Sequence, residues 1–214
     1  MKRCKLICCQ SLIHVLEPFA GPDTEMQVME IALHVDPGKL KARLMEVVTG
    51  MEEEGAHLLL GYGLCGRALE GVVSTKSTLV LPKVDDCIGA LLGSRIRHKA
   101  LLKDHSGCYF LDQHWLETEL NIFVQATKGL ERIPPERREK IVALTLKHYT
   151  SLALLDSGNT APEAEARCLA YADRHALEFL KLQTELGLLS RLFSGPWQEE
   201  EFIVCPPGQS IPFF

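Results

Sequence analysis

Four side chains in this chain can bind a soft metal, and each is placed at or just past a stretch that reads as a strand: Cys9, His34, Cys65 and Cys87. The most telling is Cys65. It lies in Leu58-Leu59-Leu60-Gly61-Tyr62-Gly63-Leu64-Cys65-Gly66, an apolar run that breaks into glycine and presents one thiol. A short apolar run bounded by glycine reads as a buried strand, and glycines permit a tight turn and close approach by another group. Three thiolates and one imidazole form a complete donor set for tetrahedral zinc. Three thiolates on a dication leave one net negative charge, which nearby helix N-termini offset. Helix starts also favour the thiolate that a metal needs. The same residues have plainer roles, since free cysteine is among the most buried residue types. His34 can pair locally with Asp36, and Cys87 can pack inside its helix. Cys8 beside Cys9 leaves the identity of the first ligand open. Cys205 also ends a strand and is an ambiguous extra, whereas Cys4, Cys108 and Cys168 read as packing residues.

No CxxC pair occurs among the eight cysteines, so separate elements must bring the ligands together. The predicted strands are 5–9, 27–34, 57–63 and 77–84, then 107–111, 151–156 and 201–205, with 177–182 either strand or helix. Predicted helices cover about 10–16, 39–54, 85–104, 114–128, 135–148, 162–175 and 185–193, by the spacing of apolar residues. Asp36-Pro37-Gly38 supplies a cap and a first-turn proline, and Asp85-Asp86 suit a helix start. Strands separated by helices imply parallel pairing with right-handed crossovers. The expected class is therefore α/β, a largely parallel sheet with helices on both faces. One domain over 1–214 is expected, with a division into two lobes near 112–135 as the alternative. Ligands bind outside the carboxyl ends of strands in such sheets. Parallel strands would bring Cys9, His34, Cys65 and Cys87 to that one edge.

Other residues fall near the same edge. Gly61, Tyr62, Gly63 and Gly66 would line a cofactor-binding turn, with Arg95 and Asp156 as further candidate cofactor contacts. Arg95 could bind an anion or belong to a solvated helix face. Asp156, after another strand, reads as an acid–base group or a turn cap. Gly61, Gly63 and Gly66 match the GxGxxG spacing of a dinucleotide loop literally. However, the match follows the third strand and no clean helix opens after it. Walker, HExxH and GxSxG motifs are absent.

Composition narrows the class. Apolar content of 46% and charged content of 24% describe a globular protein. A net charge of -5 argues against nucleic acid as the partner, because phosphate binding needs a basic surface. No apolar run reaches the roughly 20 residues that span a bilayer. Met1-Lys2-Arg3 is basic, but Leu6-Ile7-Cys8-Cys9 is too short for a signal peptide. A cytoplasmic location is expected, where cysteines serve metals or catalysis more often than disulfides.

The motifs ICCQSL, IALH, LLLGYGLCGRAL, LVLPKVDDCIGALLGSR, LLDSG and EFIVCPPG together resemble the domain-of-unknown-function 1638 family over almost the whole chain. The family's metal-type residues map to Cys9, His34, Cys65 and Cys87; the family more often has a single cysteine near position 9. The resemblance implies an anaerobic setting and a corrinoid or methyltransferase partner, without an established activity. Three readings follow. A zinc site activates a thiol or methyl-group acceptor in corrinoid-linked one-carbon metabolism, with a small-molecule ligand. An iron–sulfur or corrinoid-associated accessory protein binds a methyltransferase. A structural zinc domain has its working surface elsewhere.

Overall fold

The computed structural model describes residues 3–213; Met1 and Lys2 of the basic start lie outside them. In chain order the elements are β1 (Cys4–Cys9), α1 (Ile13–Leu16), β2 (Glu25–Met29), α2 (Pro37–Met51), β3 (His57–Gly61), β4 (Thr78–Pro82), α3 (Cys87–Leu91), α4 (Arg95–Asp104), β5 (Cys108–Asp112), α5 (Gln113–Leu116), α6 (Ile122–Gln125), α7 (Pro135–Leu146), β6 (Ser151–Asp156), α8 (Pro162–Arg174), β7 (Glu178–Gln183), α9 (Gly187–Ser194) and β8 (Phe202–Cys205). Two 3-10 turns, Glu17–Phe19 and Ile31–Val35, complete the set. The chain forms two compact units. The first runs to Arg97 and resumes at Glu185; the second is His98–Thr184. The stretch 112–135 lies within the second unit.

The first unit is a five-stranded sheet in the order β2-β1-β3-β4-β8. β2, β1, β3 and β4 are mutually parallel, and β8 runs antiparallel to β4 at one edge. Strand side chains alternate between faces. One face sends Ile7, Cys9, Leu58, Leu60, Leu79 and Leu81 into a core shared with Leu40, Leu44, Val48 and Met51 of α2. The opposite face carries Leu6, Leu59 and Val80, all fully buried, and α9 packs on β3 and β4. Burying each such leucine is worth about 2 kcal/mol. α2 starts where Asp36 accepts hydrogen bonds from the Gly38 and Lys39 amides at 3.1 Å, and Pro37 fills its first turn.

The second unit is a three-stranded parallel sheet, β5-β6-β7. Its central strand β6 is buried along its whole length, and α8 packs on β6 and β7. The stretch 178–183 is a strand, which resolves the helix alternative. Among the described residues, no helix is long and apolar enough to cross a membrane.

Three elements differ from expectation. The strand expected over 27–34 ends at Met29, because its partner β1 ends at Cys9, the residue paired with Met29. Beyond that point the chain turns into the 3-10 segment that carries His34. The helix expected over 85–104 is two helices broken at Gly93. That glycine has φ +72°, and a Cβ there would meet the Glu185 carbonyl oxygen at 2.5 Å. The helix expected over 114–128 also divides, because Asn121 accepts from the Val124 amide at 3.1 Å and so starts a new helix.

Candidate metal centre

Strand direction decides where the soft ligands go. Cys9 is the last residue of β1. His34 follows β2, Cys65 follows β3, and Cys87 opens α3 after β4. Because these four strands are parallel, all four residues emerge at the carboxyl edge of the first unit's sheet. Cys205 does not. It ends the antiparallel β8 and pairs with Leu79, and its thiol faces the Ser210 carbonyl at 3.7 Å. Reversal of one strand therefore sends Cys205 to the opposite edge. Cys8, one residue before Cys9, points to the other face of the sheet, opposite Gly61, and is fully buried.

The turn bearing Cys65 is held against the segment before α3. The Leu64 and Cys65 amides donate to the carbonyls of Val84 and Asp85, each at 3.0 Å. Gly63 makes the approach possible, since a Cβ there would lie 2.4 Å from the Asp86 carbonyl carbon. Asp86 in turn caps α3 through the Gly89 amide at 2.9 Å. Cys65 has φ +46° and Gly66 φ +67°. For a cysteine this left-handed conformation costs about 1–3 kcal/mol, a cost that surrounding structure must enforce.

The ligand atoms converge. The Cys65 and Cys87 sulfurs are 3.4 Å apart. The Cys9 sulfur is 3.8 Å from both ring nitrogens of His34. His34, Cys65 and Cys87 offer ligand atoms all within 4.8 Å of one another. A tetrahedral zinc ion with ordinary bond lengths sets its sulfurs about 3.8 Å apart, and a sulfur and a nitrogen about 3.5 Å apart. The observed 3.4 and 3.8 Å separations fall close to those edges; His34, Cys65 and Cys87 form the compact group, and Cys9 stands outside it, next to His34. His34 Nδ1 lies 3.3 Å from the Ile31 carbonyl. A carbonyl only accepts, so Nδ1 carries the proton and Nε2 is left as the ligand atom.

Donors surround the sulfurs. Cys9 accepts from the Ser11 amide at 3.3 Å and the Ser11 hydroxyl at 3.0 Å, and Cys87 accepts from the Gly63 amide. Hydrogen bonding to Cys87 and then burial push the Cys9 thiol well above its ordinary range. Hydrogen bonding to Cys65 and burial do the same to Cys87, against an opposing contribution from Cys9. Thiols this close share protons in hydrogen bonds that favour the neutral form, and burial disfavours the thiolate further. A bound dication reverses that balance. Burial disfavours the His34 imidazolium, yet contact with Cys9 and the Ile31 carbonyl outweigh it and push its pKa up.

The other expected site residues fall as follows. Gly61 ends β3, and Gly63 and Gly66 shape the turn already described. No helix follows the turn; the next regular element is β4, so the GxGxxG spacing lacks the helix that a dinucleotide needs. Tyr62 is fully buried and stacks on His34 with ring centres 6.2 Å apart. Arg95 is engaged by Asp85, its Nε donating to both carboxylate oxygens at 2.9 and 3.1 Å. Since the Asp85 carbonyl receives the Cys65 amide, Arg95 braces the turn. Asp156 belongs to the second unit, where it caps a turn. It accepts from the Gly158 amide and Thr160 hydroxyl at 2.8 Å and from Gln183 at 3.0 Å. Ser11 escaped the sequence reading. Its only signal is a hydroxyl two residues after a cysteine at a strand end.

A family model described as "Protein of unknown function (DUF1638)" matches residues 28–193. No curated protein and no solved structure matches.

Proposed function

The chain belongs to the DUF1638 family of proteins of unknown function, and we propose that in this member Cys9, His34, Cys65 and Cys87 hold one zinc ion. The observation that carries the reading is the pair of separations at the site, 3.4 Å between two sulfurs and 3.8 Å between sulfur and imidazole. Cysteines on different irons of a cluster stand farther apart than two ligands of one ion. The 3.4 Å contact therefore favours a single ion over a four-iron, four-sulfur cluster, which takes one protein ligand on each iron.

The centre's proposed role is to bind and activate a thiol or another soft nucleophile. Cys9 is fully buried, whereas His34, Cys65 and Cys87 are partly exposed, so a substrate approaches from their side. One ligand must yield, because a closed Cys3His site is normally structural. Zinc held by these residues would keep a bound substrate thiol as its thiolate, the form that attacks a methyl group. The corrinoid or methyltransferase partner that the family resemblance implies would supply that group, the carbon–cobalt bond breaking with its electron pair left on cobalt as the carbon–sulfur bond forms.

Metal analysis tests the first part. Protein purified without oxygen should carry about one zinc per chain, and Cys65→Ser should lose it. Equal trace metal in both proteins refutes the site. The cobalt-loaded protein tests the second. Added small thiols should shift its visible bands; an unchanged spectrum marks a closed, structural centre.

A further inference from the structure

Tyr62 is fully buried, and among the described residues its hydroxyl has no hydrogen-bond partner. An unsatisfied buried hydroxyl costs about 1–3 kcal/mol. Phenylalanine would fill nearly the same volume without that cost. The hydroxyl is therefore either a pure liability or is matched by an acceptor of the working protein.

Its surroundings identify the acceptor. Tyr62 lies between Gly61, the end of β3, and Gly63, whose amide donates to Cys87. Its ring stacks on His34, with planes 18° apart. Tyr62 and Cys9 share one buried cluster, and Cys65 and Cys87 pack against it. A neutral thiol is a weak acceptor. A metal-bound thiolate carries charge and is a much stronger one. The other donors at the centre serve Cys9 and Cys87: the Ser11 amide and hydroxyl, and the Gly63 amide. Three thiolates on a dication carry one excess negative charge, so a further donor has work to do there.

We infer that the Tyr62 hydroxyl is a positioning donor to the metal-loaded centre, giving its hydrogen bond to a thiolate sulfur once the ion is bound. This rests on the proposed metal site. In the loaded protein that bond lowers the charge density on sulfur and fixes the His34 ring that lies against Tyr62.

The test is Tyr62→Phe in the full chain, titrated with cobalt. Cobalt affinity should fall about tenfold, the lower end of the usual loss when an outer hydrogen bond to a ligand is removed. The thiolate-to-cobalt charge-transfer band should move to lower energy, because sulfur without its donor is more electron-rich. Ser11→Ala removes a donor seen directly on Cys9 and sets the scale of both effects. Metal-free Tyr62→Phe should unfold at a temperature no lower than metal-free wild type, a result that a simple packing role does not give. Unchanged affinity and band position in Tyr62→Phe, with Ser11→Ala shifted, overturn the inference. So does a metal-free Tyr62→Phe protein that is less stable than wild type or unfolded. If the wild type itself binds no cobalt, the metal reading fails first, which is a distinguishable result.

Discussion

The sulfurs of Cys65 and Cys87 lie 3.4 Å apart across a sequence separation of 22 residues. Neither residue makes this contact alone. The Cys65 turn can reach the start of α3 because Gly63 has no side chain to strike Asp86. The Cys65 amide is then fixed by the Asp85 carbonyl at 3.0 Å. Two parallel strands deliver the loops, and one glycine lets them touch.

Gly63→Ala should therefore damage both fold and site. A Cβ 2.4–2.5 Å from three Asp86 backbone atoms cannot be relieved by a side-chain rotation. The expected loss is about 1–3 kcal/mol or more, with metal content reduced. Gly50→Ala is the control. It lies in α2 with nothing within 4 Å of its Cβ, and alanine there should stabilise by up to about 1 kcal/mol. Urea unfolding and metal analysis of the two variants check both statements.

The three cysteines at strand ends should behave differently. Cys9→Ser should weaken metal binding, because it removes the buried sulfur that meets His34. Cys8→Ala should leave metal content at the wild-type level and lower stability by about 1 kcal/mol. Cys205→Ala should also retain the metal, since its thiol faces Ser210. Retained metal in Cys9→Ser with loss in Cys8→Ala would exchange their roles.

Arg95→Gln should act on the turn indirectly. The Arg95–Asp85 pair is partly exposed, with 32% and 36% of the two side chains accessible, so its loss should cost no more than about 1 kcal/mol. Metal affinity should nevertheless fall several-fold as the Asp85 brace on Cys65 loosens. A competition titration against a chromophoric chelator measures this.

Asp156 links the second unit to acid stability. Burial opposes its ionisation, but hydrogen bonds from Thr160, Gln183 and Gly158 and the Lys181 charge hold its pKa well below the ordinary range. A depressed carboxylate contributes stability above its unfolded value of about 3.9, and this is lost as pH falls below that value. Asp156→Asn should cost about 1–3 kcal/mol near neutral pH, and the gap to wild type should narrow at about pH 3. Denaturation curves at the two pH values check it.

Sequence alone determined the parallel α/β class and the carboxyl edge to which four of the strands lead. Apolar runs bounded by glycine and proline mark strands, and alternation with helices fixes their direction. That was enough to bring Cys9, His34, Cys65 and Cys87 to one edge. It was not enough to place Cys205, whose strand reads like the others but pairs antiparallel with β4. The direction of an edge strand depends on the path of the preceding connection. Nor could periodicity place His34 in a 3-10 turn, because the end of β2 is set by the end of its neighbour. The choice of Cys9 over Cys8 for the site, the closeness that Gly63 permits, and the unsatisfied hydroxyl of Tyr62 all depend on which face or loop meets which. Those relationships are fixed by contacts between residues far apart in the chain, and only the tertiary structure decided them.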